Sequence, residues 1–74
     1  MDSYDKPFDM VQKNIGNKIY VRLRNRSEIE GVLIGYDEHL NMMLEHASIK
    51  KEDQKIMRNL MYLRGDTVLL LARK

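Results

Sequence analysis

Two short polar segments set between apolar runs, Asp37-Glu38-His39-Leu40-Asn41 and Arg64-Gly65-Asp66, hold side chains suited to gripping a small planar ligand. Histidine offers a flat ring for stacking. Asparagine presents a donor beside an acceptor and can match a base edge, and arginine can stack on the other face or hold phosphate. The inventory suits a nucleobase. Taken singly, each residue has a plainer reading: His39 as a surface histidine, Asn41 as a turn residue, Asp37 and Asn41 bonding their own backbone, Arg64-Gly65-Asp66 as a hairpin with a solvated arginine. Together the two turns read as one candidate binding site, Asp37, His39, Asn41, Arg64, Gly65 and Asp66, held by strands on either side of each turn.

Other chemistries fit less well. Asp37, Glu38 and His39 offer acid-base groups and Ser27, Ser48 and Thr67 offer hydroxyls, but no triad spacing and no glycine-rich phosphate loop accompanies them. The expectation is a protein that is not an enzyme. His39 and His46 with Glu45 lack any recognised metal-ligand spacing, and with no cysteine there is neither a disulfide nor a thiolate metal site. No cofactor and no metal are expected. Met42, Met43, Met57 and Met61 read as gap-filling core and interface residues. Thirteen Lys and Arg against eleven Asp and Glu leave a net charge of +2, too little for a polycation that coats nucleic acid. Any anion binding must be local. Arg22, Arg24 and Arg26, or the lysines of Lys50-Lys51-Glu52-Asp53, could touch an RNA backbone, although solvated surface is the plainer reading.

Seventy-four residues, 43% hydrophobic and 32% charged, make one small globular domain, residues 1–74. A core of this size gives marginal stability unless oligomerisation adds buried area. Met1 to Lys6 lacks the basic start and apolar stretch of a secretory signal, and the longest apolar run, Val68 to Ala72, is too short to span a bilayer. The expectation is a soluble intracellular protein with no membrane partner.

The elements that must carry the two turns follow from periodicity. Phe8, Val11 and Ile15 recur at helical spacing, Pro7 fits a first helical turn and Gly16 supplies a stop, which predicts a short helix over Pro7 to Ile15. Ile19, Val21 and Leu23 alternate with Tyr20, Arg22 and Arg24 as a strand with one buried face. A turn at Asn25-Arg26-Ser27 leads to a second strand, Glu28 to Tyr36, whose Gly31 and Gly35 argue for strong curvature or close backbone approach. A third strand runs from Met42 to Glu45, with an extension to Lys50 as the alternative. Lys50 to Lys55 is then read as a charged loop, with a long hairpin tip as the alternative. Leu60 to Leu63 and Thr67 to Ala72 complete five strands, separated by the hairpin-sized Arg64-Gly65-Asp66. The fold class is mainly β, a short N-terminal helix followed by a single curved sheet or barrel.

Val68-Leu69-Leu70-Leu71 is apolar on both faces, which an edge strand of a monomer would expose to other chains. Pairing of the fourth strand of one copy with the fifth of the next, head to tail, would cover it and close a ring.

These residues resemble a known family, the Sm and Sm-like (LSm) proteins of RNA processing and decay. Ile19 to Leu44, with Gly31, Tyr36-Asp37, His39 and Asn41-Met42, is similar to the first Sm motif, and Tyr62-Leu63-Arg64-Gly65-Asp66-Thr67-Val68 to the second. The resemblance implies a helix capping a strongly bent five-stranded antiparallel sheet that forms a small open barrel, with six or seven copies or other Sm-like subunits in a ring around uridine-rich single-stranded RNA. It implies that His39 stacks on a base, Asn41 bonds the uracil edge and Arg64 stacks from the opposite side. Asp37 would brace the first turn, Gly65 permit the conformation of the second, and Asp66 hold it through side-chain to backbone bonds. It implies splicing or mRNA decay as the setting, in nucleus and cytoplasm for a eukaryotic chain and cytoplasm for an archaeal one. Ile19 to Asn25 and Tyr36 to Leu44 are most similar to the third paralogue of the eukaryotic Sm-like heptamer. The short charged segment around Lys51 to Lys55 and the end at Lys74 resemble compact archaeal members. A binding subunit and a structural ring scaffold with idle turns both remain open.

Overall fold

The computed structural model describes residues 7–74. The expectation for Met1 to Lys6 lies outside that range. Helix α1 spans Pro7–Lys13, followed by strands β1 (Lys18–Leu23), β2 (Glu28–Tyr36), β3 (Met42–Lys51), β4 (Gln54–Leu63) and β5 (Val68–Arg73), with a 3-10 turn at Gly65–Thr67 before β5. The strands form one sheet in the order β4-β3-β2-β1-β5, every neighbouring pair antiparallel.

This order dictates curvature. Four strand spacings would put β4 and β5 about 19 Å apart in a flat sheet. The 3-10 turn that joins them rises only about 2 Å per residue, so the sheet has to curl until its two edges approach. Arg64-Gly65-Asp66 is therefore not the hairpin that its length suggests: β4 and β5 do not pair with each other, and the turn crosses from one edge to the other.

Two local devices make the bend. Gly31 lies on the core face of β2, where an added Cβ would stand 3.2 Å from both Cα and Cβ of Ala47 and 3.3 Å from the Glu45 carbonyl oxygen. Opposite it, β3 carries an extra residue, with the register shifting between Glu30 and Val32 and His46 at φ 53. A bulge facing a glycine turns the strand without losing the core alternation, which passes from Met42 and Leu44 to Ala47. The core comprises Val11, Ile19, Val21, Ile29, Leu33, Met42, Leu44, Ala47 and Leu63.

The helix ends at Lys13, two residues short of Ile15, because Asn14 intervenes. Its Nδ2 donates to the Met10 carbonyl at 2.7 Å and its backbone N–H bonds to the Val11 carbonyl at 3.1 Å, consuming acceptors at the helix end. Only Val11 of the expected stripe is buried; Ile15 is exposed, and Phe8 sets its ring edge-on to Tyr36 at 5.6 Å.

The loop read over Lys50 to Lys55 is also corrected. β3 and β4 continue in register from Met42↔Leu63 to Lys51↔Gln54, leaving only Glu52 and Asp53 as the turn, with Glu52 at φ 53. From Gln54 to Leu60 every residue is exposed, so backbone bonding and cross-strand pairs hold this half of the hairpin. No apolar alternation marks it in the sequence.

At the β1–β2 turn, Arg26 sits at φ 73, its N–H bonded to the Leu23 carbonyl, while Asn25 Oδ1 accepts from the Ser27 N–H. A left-handed backbone at a non-glycine residue costs about 1 kcal/mol.

Both sheet edges display large apolar side chains. Met57, Leu60 and Tyr62 project from β4, and Leu69 and Leu70 from β5. The apolar edge expected of the last strand is thus present, and a second one faces the other way. Among the described residues no helix is long and apolar enough to cross a membrane.

Candidate nucleic-acid interface

The two polar turns, 24 residues apart from Asn41 to Gly65, meet at one end of the sheet. A pocket of about 650 Å³ is lined by His39, Asn41, Tyr62, Arg64, Gly65 and Asp66. The structure therefore brings five of the six expected site residues together, and Asp37 stands directly behind them.

Asp37 organises the first turn. Its Oδ1 accepts from the backbone N–H groups of His39 at 2.9 Å and Asn41 at 3.0 Å, and its Oδ2 accepts from Asn41 Nδ2 at 3.0 Å. Backbone bonds from Leu40 N to the Asp37 carbonyl and from Asp37 N to the Asn41 carbonyl close the turn, with Leu40 at φ 63. The Asn41 side-chain amide, and then the backbone N–H groups of Asn41 and His39, hold the Asp37 carboxyl below the usual carboxylate range against the opposing effect of desolvation.

A carboxyl whose folded pKa is lowered contributes its brace above the ordinary aspartate range and loses it only as pH falls through the lower folded value. The side-chain amide resonances of Asn41 are thus expected to keep their positions through the ordinary aspartate range on acidification and to move only below it. An NMR titration with a midpoint at or above the ordinary value would refute this.

Asn41 links the turns. Its Oδ1 accepts from the Gly65 N–H at 2.8 Å while its Nδ2 donates to Asp37. These partners fix which end of the amide is which: rotating it by half a turn would set NH2 against N–H and carbonyl oxygen against carboxylate. One Nδ2–H and one Oδ1 lone pair remain for a ligand.

Gly65 is required for space. A Cβ there would fall on the His39 carbonyl oxygen and 2.8 Å from the Leu40 carbonyl carbon and oxygen. The resemblance implied that glycine permits the conformation of this turn; its φ lies outside the left-handed region, so what the turn needs from it is room. The role expected of Asp66 also changes. Its carboxylate accepts from Arg64 Nη2 at 2.9 Å, steering that guanidinium, whereas Thr67 Oγ1 closes the turn by donating to the Arg64 carbonyl at 2.7 Å. The Arg64–Asp66 pair is largely exposed, so its worth is orientation more than stability.

Tyr62 is the lining residue that the site reading passed over. It is opposite Met43 in the β3–β4 ladder and exposes 61% of its surface at the pocket wall. Its place one residue before Leu63-Arg64 on an alternating strand is the signal that could have found it. His46 is held apart at the bulge, and among the described residues no group of three or more acidic or histidine side chains could hold a metal ion.

Residues 9–73 match the LSM domain model. The chain is 35% identical over 81 residues to the LSM complex subunit lsm3 of Schizosaccharomyces pombe, covering 90% of this chain and 87% of that one. Among solved structures it is similar to a heptameric archaeal Sm protein, with a TM-score of 0.80, 33% identity and coverage of 89% and 97%. It is also similar to the Pyrococcus abyssi Sm protein in complex with a uridine heptamer, with a TM-score of 0.85, 30% identity and coverage of 95% and 100%.

Proposed function

The chain belongs to the LSM domain family, and from that membership we propose that it is an RNA-binding subunit of a six- or seven-membered ring that holds uridine-rich single strands in its paired-turn pockets. The observation that carries this reading is the doubly anchored amide of Asn41. Its free donor and acceptor have a fixed order that suits the carbonyl and N3–H of uracil. Cytosine presents the opposite order at the same atoms, and correcting the mismatch would break bonds to Asp37 and Gly65. His39 and Arg64 supply flat groups for the two faces of the base.

The ring reading is supported by the two apolar edges, since a β4 edge of one subunit joined to a β5 edge of the next extends the sheet and covers Leu60, Leu69 and Leu70. The heptameric assembly and the uridine ligand of the similar archaeal structures support the same conclusion. The site holds and presents RNA; the proposal assigns it no reaction. The single domain 1–74 serves RNA processing, in splicing or in mRNA decay, with the likeness to lsm3 as its support.

The test is binding of fluorescent oligouridine, oligocytidine and oligoadenosine of equal length to the assembled protein. Preference for oligouridine is expected, and Arg64→Ala should weaken oligouridine binding by about 1 to 3 kcal/mol per stacked base. Equal binding of all three would favour the scaffold reading, in which other subunits carry the RNA.

A further inference from the structure

The geometry points to a phosphodiester-binding track at the β1–β2 turn, built from Arg24 and Arg26 and continuous with the base pocket. This rests on the RNA-binding reading and extends it from the base to the strand that follows. Three depressions adjoin by shared residues. Arg64 and Asp66 line both the base pocket and a second groove that also contains Arg24, Asn25 and Thr67. Leu23 and Arg24 in turn line both that groove and a third, which contains Arg22 with its partner Glu28, Arg26 and, at the edge that a neighbouring subunit covers, Leu69. A single strand leaving the pocket on this side meets guanidinium groups in succession.

Each arginine is prepared differently. Arg22 is engaged by Glu28, whose Oε2 lies 3.4 Å from its Nη2. Arg24 donates its Nε to the Asp66 carbonyl at 3.2 Å, which ties it to the turn bearing Arg64 and leaves its terminal N–H groups unengaged among the described residues. No carboxylate among the described residues pairs with Arg24 or Arg26. Arg26 occupies φ 73, a conformation in which glycine would serve the backbone better. An exposed arginine held in strained backbone, unpaired and beside another, contributes little to the fold and much to local potential. With a whole-chain net charge of only +2, such a cluster is where anion binding would concentrate. Guanidinium groups suit phosphate oxygens and make no base-edge selection.

The experiment compares the assembled wild type with Arg24→Gln/Arg26→Gln and with Arg26→Gly, using a uridine octamer and free uridine as probes over a salt series. The double variant is expected to bind the octamer about tenfold more weakly at low salt, with the slope of log affinity against log salt reduced by about 0.7 per lost phosphate contact. Its affinity for free uridine, which carries no phosphate, should be unchanged. Arg26→Gly should weaken octamer binding while holding or raising the thermal midpoint. An unchanged salt slope, or a lower midpoint for Arg26→Gly with unaltered octamer binding, would overturn the track. Failure of the base reading looks different: wild type would bind uridine, cytidine and adenosine octamers alike, yet the double variant would still lose salt slope.

Discussion

Asn41→Ala is expected to lower oligouridine affinity by about 1 to 3 kcal/mol, the range for a lost bidentate base contact, and to abolish the preference for uridine over cytidine. The substitution removes three things together. It deletes the ligand's donor and acceptor, strips Asp37 of the amide that contributes most to its lowered pKa, and leaves the Gly65 N–H without its 2.8 Å acceptor. The first loss appears as affinity and the others as looser turns. Asn41→Asp separates them: it keeps an acceptor for Gly65 but places a second carboxylate against Asp37, so it should bind oligouridine as poorly as alanine. The readout is fluorescence anisotropy with the assembly checked by native mass spectrometry. An Asn41→Ala protein that retains uridine over cytidine selectivity would remove the central support for the base-reading role.

Gly65→Val should have the second large effect, through geometry. The first atom of any side chain at this position meets the His39 carbonyl and the Leu40 peptide, backbone that cannot swing aside as a flexible side chain would. The turns must separate, which breaks the Asn41–Gly65 bond and displaces His39 from Arg64. Oligouridine binding is expected to fall by more than about a hundredfold, since both the stacked and the edge contacts lose their alignment, of the order of 3 kcal/mol. The sheet core lies behind the turns, in Leu33, Leu44 and Leu63, so far-ultraviolet circular dichroism should remain that of a β protein. Even Gly65→Ala introduces the clashing Cβ and should follow the same course. Wild-type affinity in either variant would show that the turns need not touch.

Much of this arrangement was legible in the residues. The period of two across Ile19 to Leu23 gave β1, and Gly31 signalled close backbone approach before Ala47 could be seen opposite it. Asp37, His39, Asn41 and Arg64 suit a nucleobase by type, but local turn chemistry explains each separately, and it is the resemblance of their segments to the two Sm motifs that joins them. Other features left no periodic trace. In the outer part of β4, Gln54 to Leu60 is exposed on both faces, so the pattern there reads as a charged loop although the ladder continues to Lys51↔Gln54. The edge-to-edge crossing at Gly65–Thr67 depends on strand order, which local spacing does not encode. Asn14 ending the helix and Thr67 closing the second turn act through local bonds to Met10 and Arg64 that residue spacing alone does not single out, whereas Tyr62 as a pocket wall is a consequence of three-dimensional neighbours.

The length of that hairpin also has a practical use. β3 and β4 each run ten residues from the pocket lined by His39 and Arg64 to the Glu52-Asp53 tip, which at about 3.3 Å per residue separates the two ends by roughly 30 Å. An affinity tag or a dye inserted between Glu52 and Asp53 would ride on a stiff lever remote from the ligand, so fluorescence transfer between labelled tips can report subunit spacing while the pocket goes about its work unlabelled.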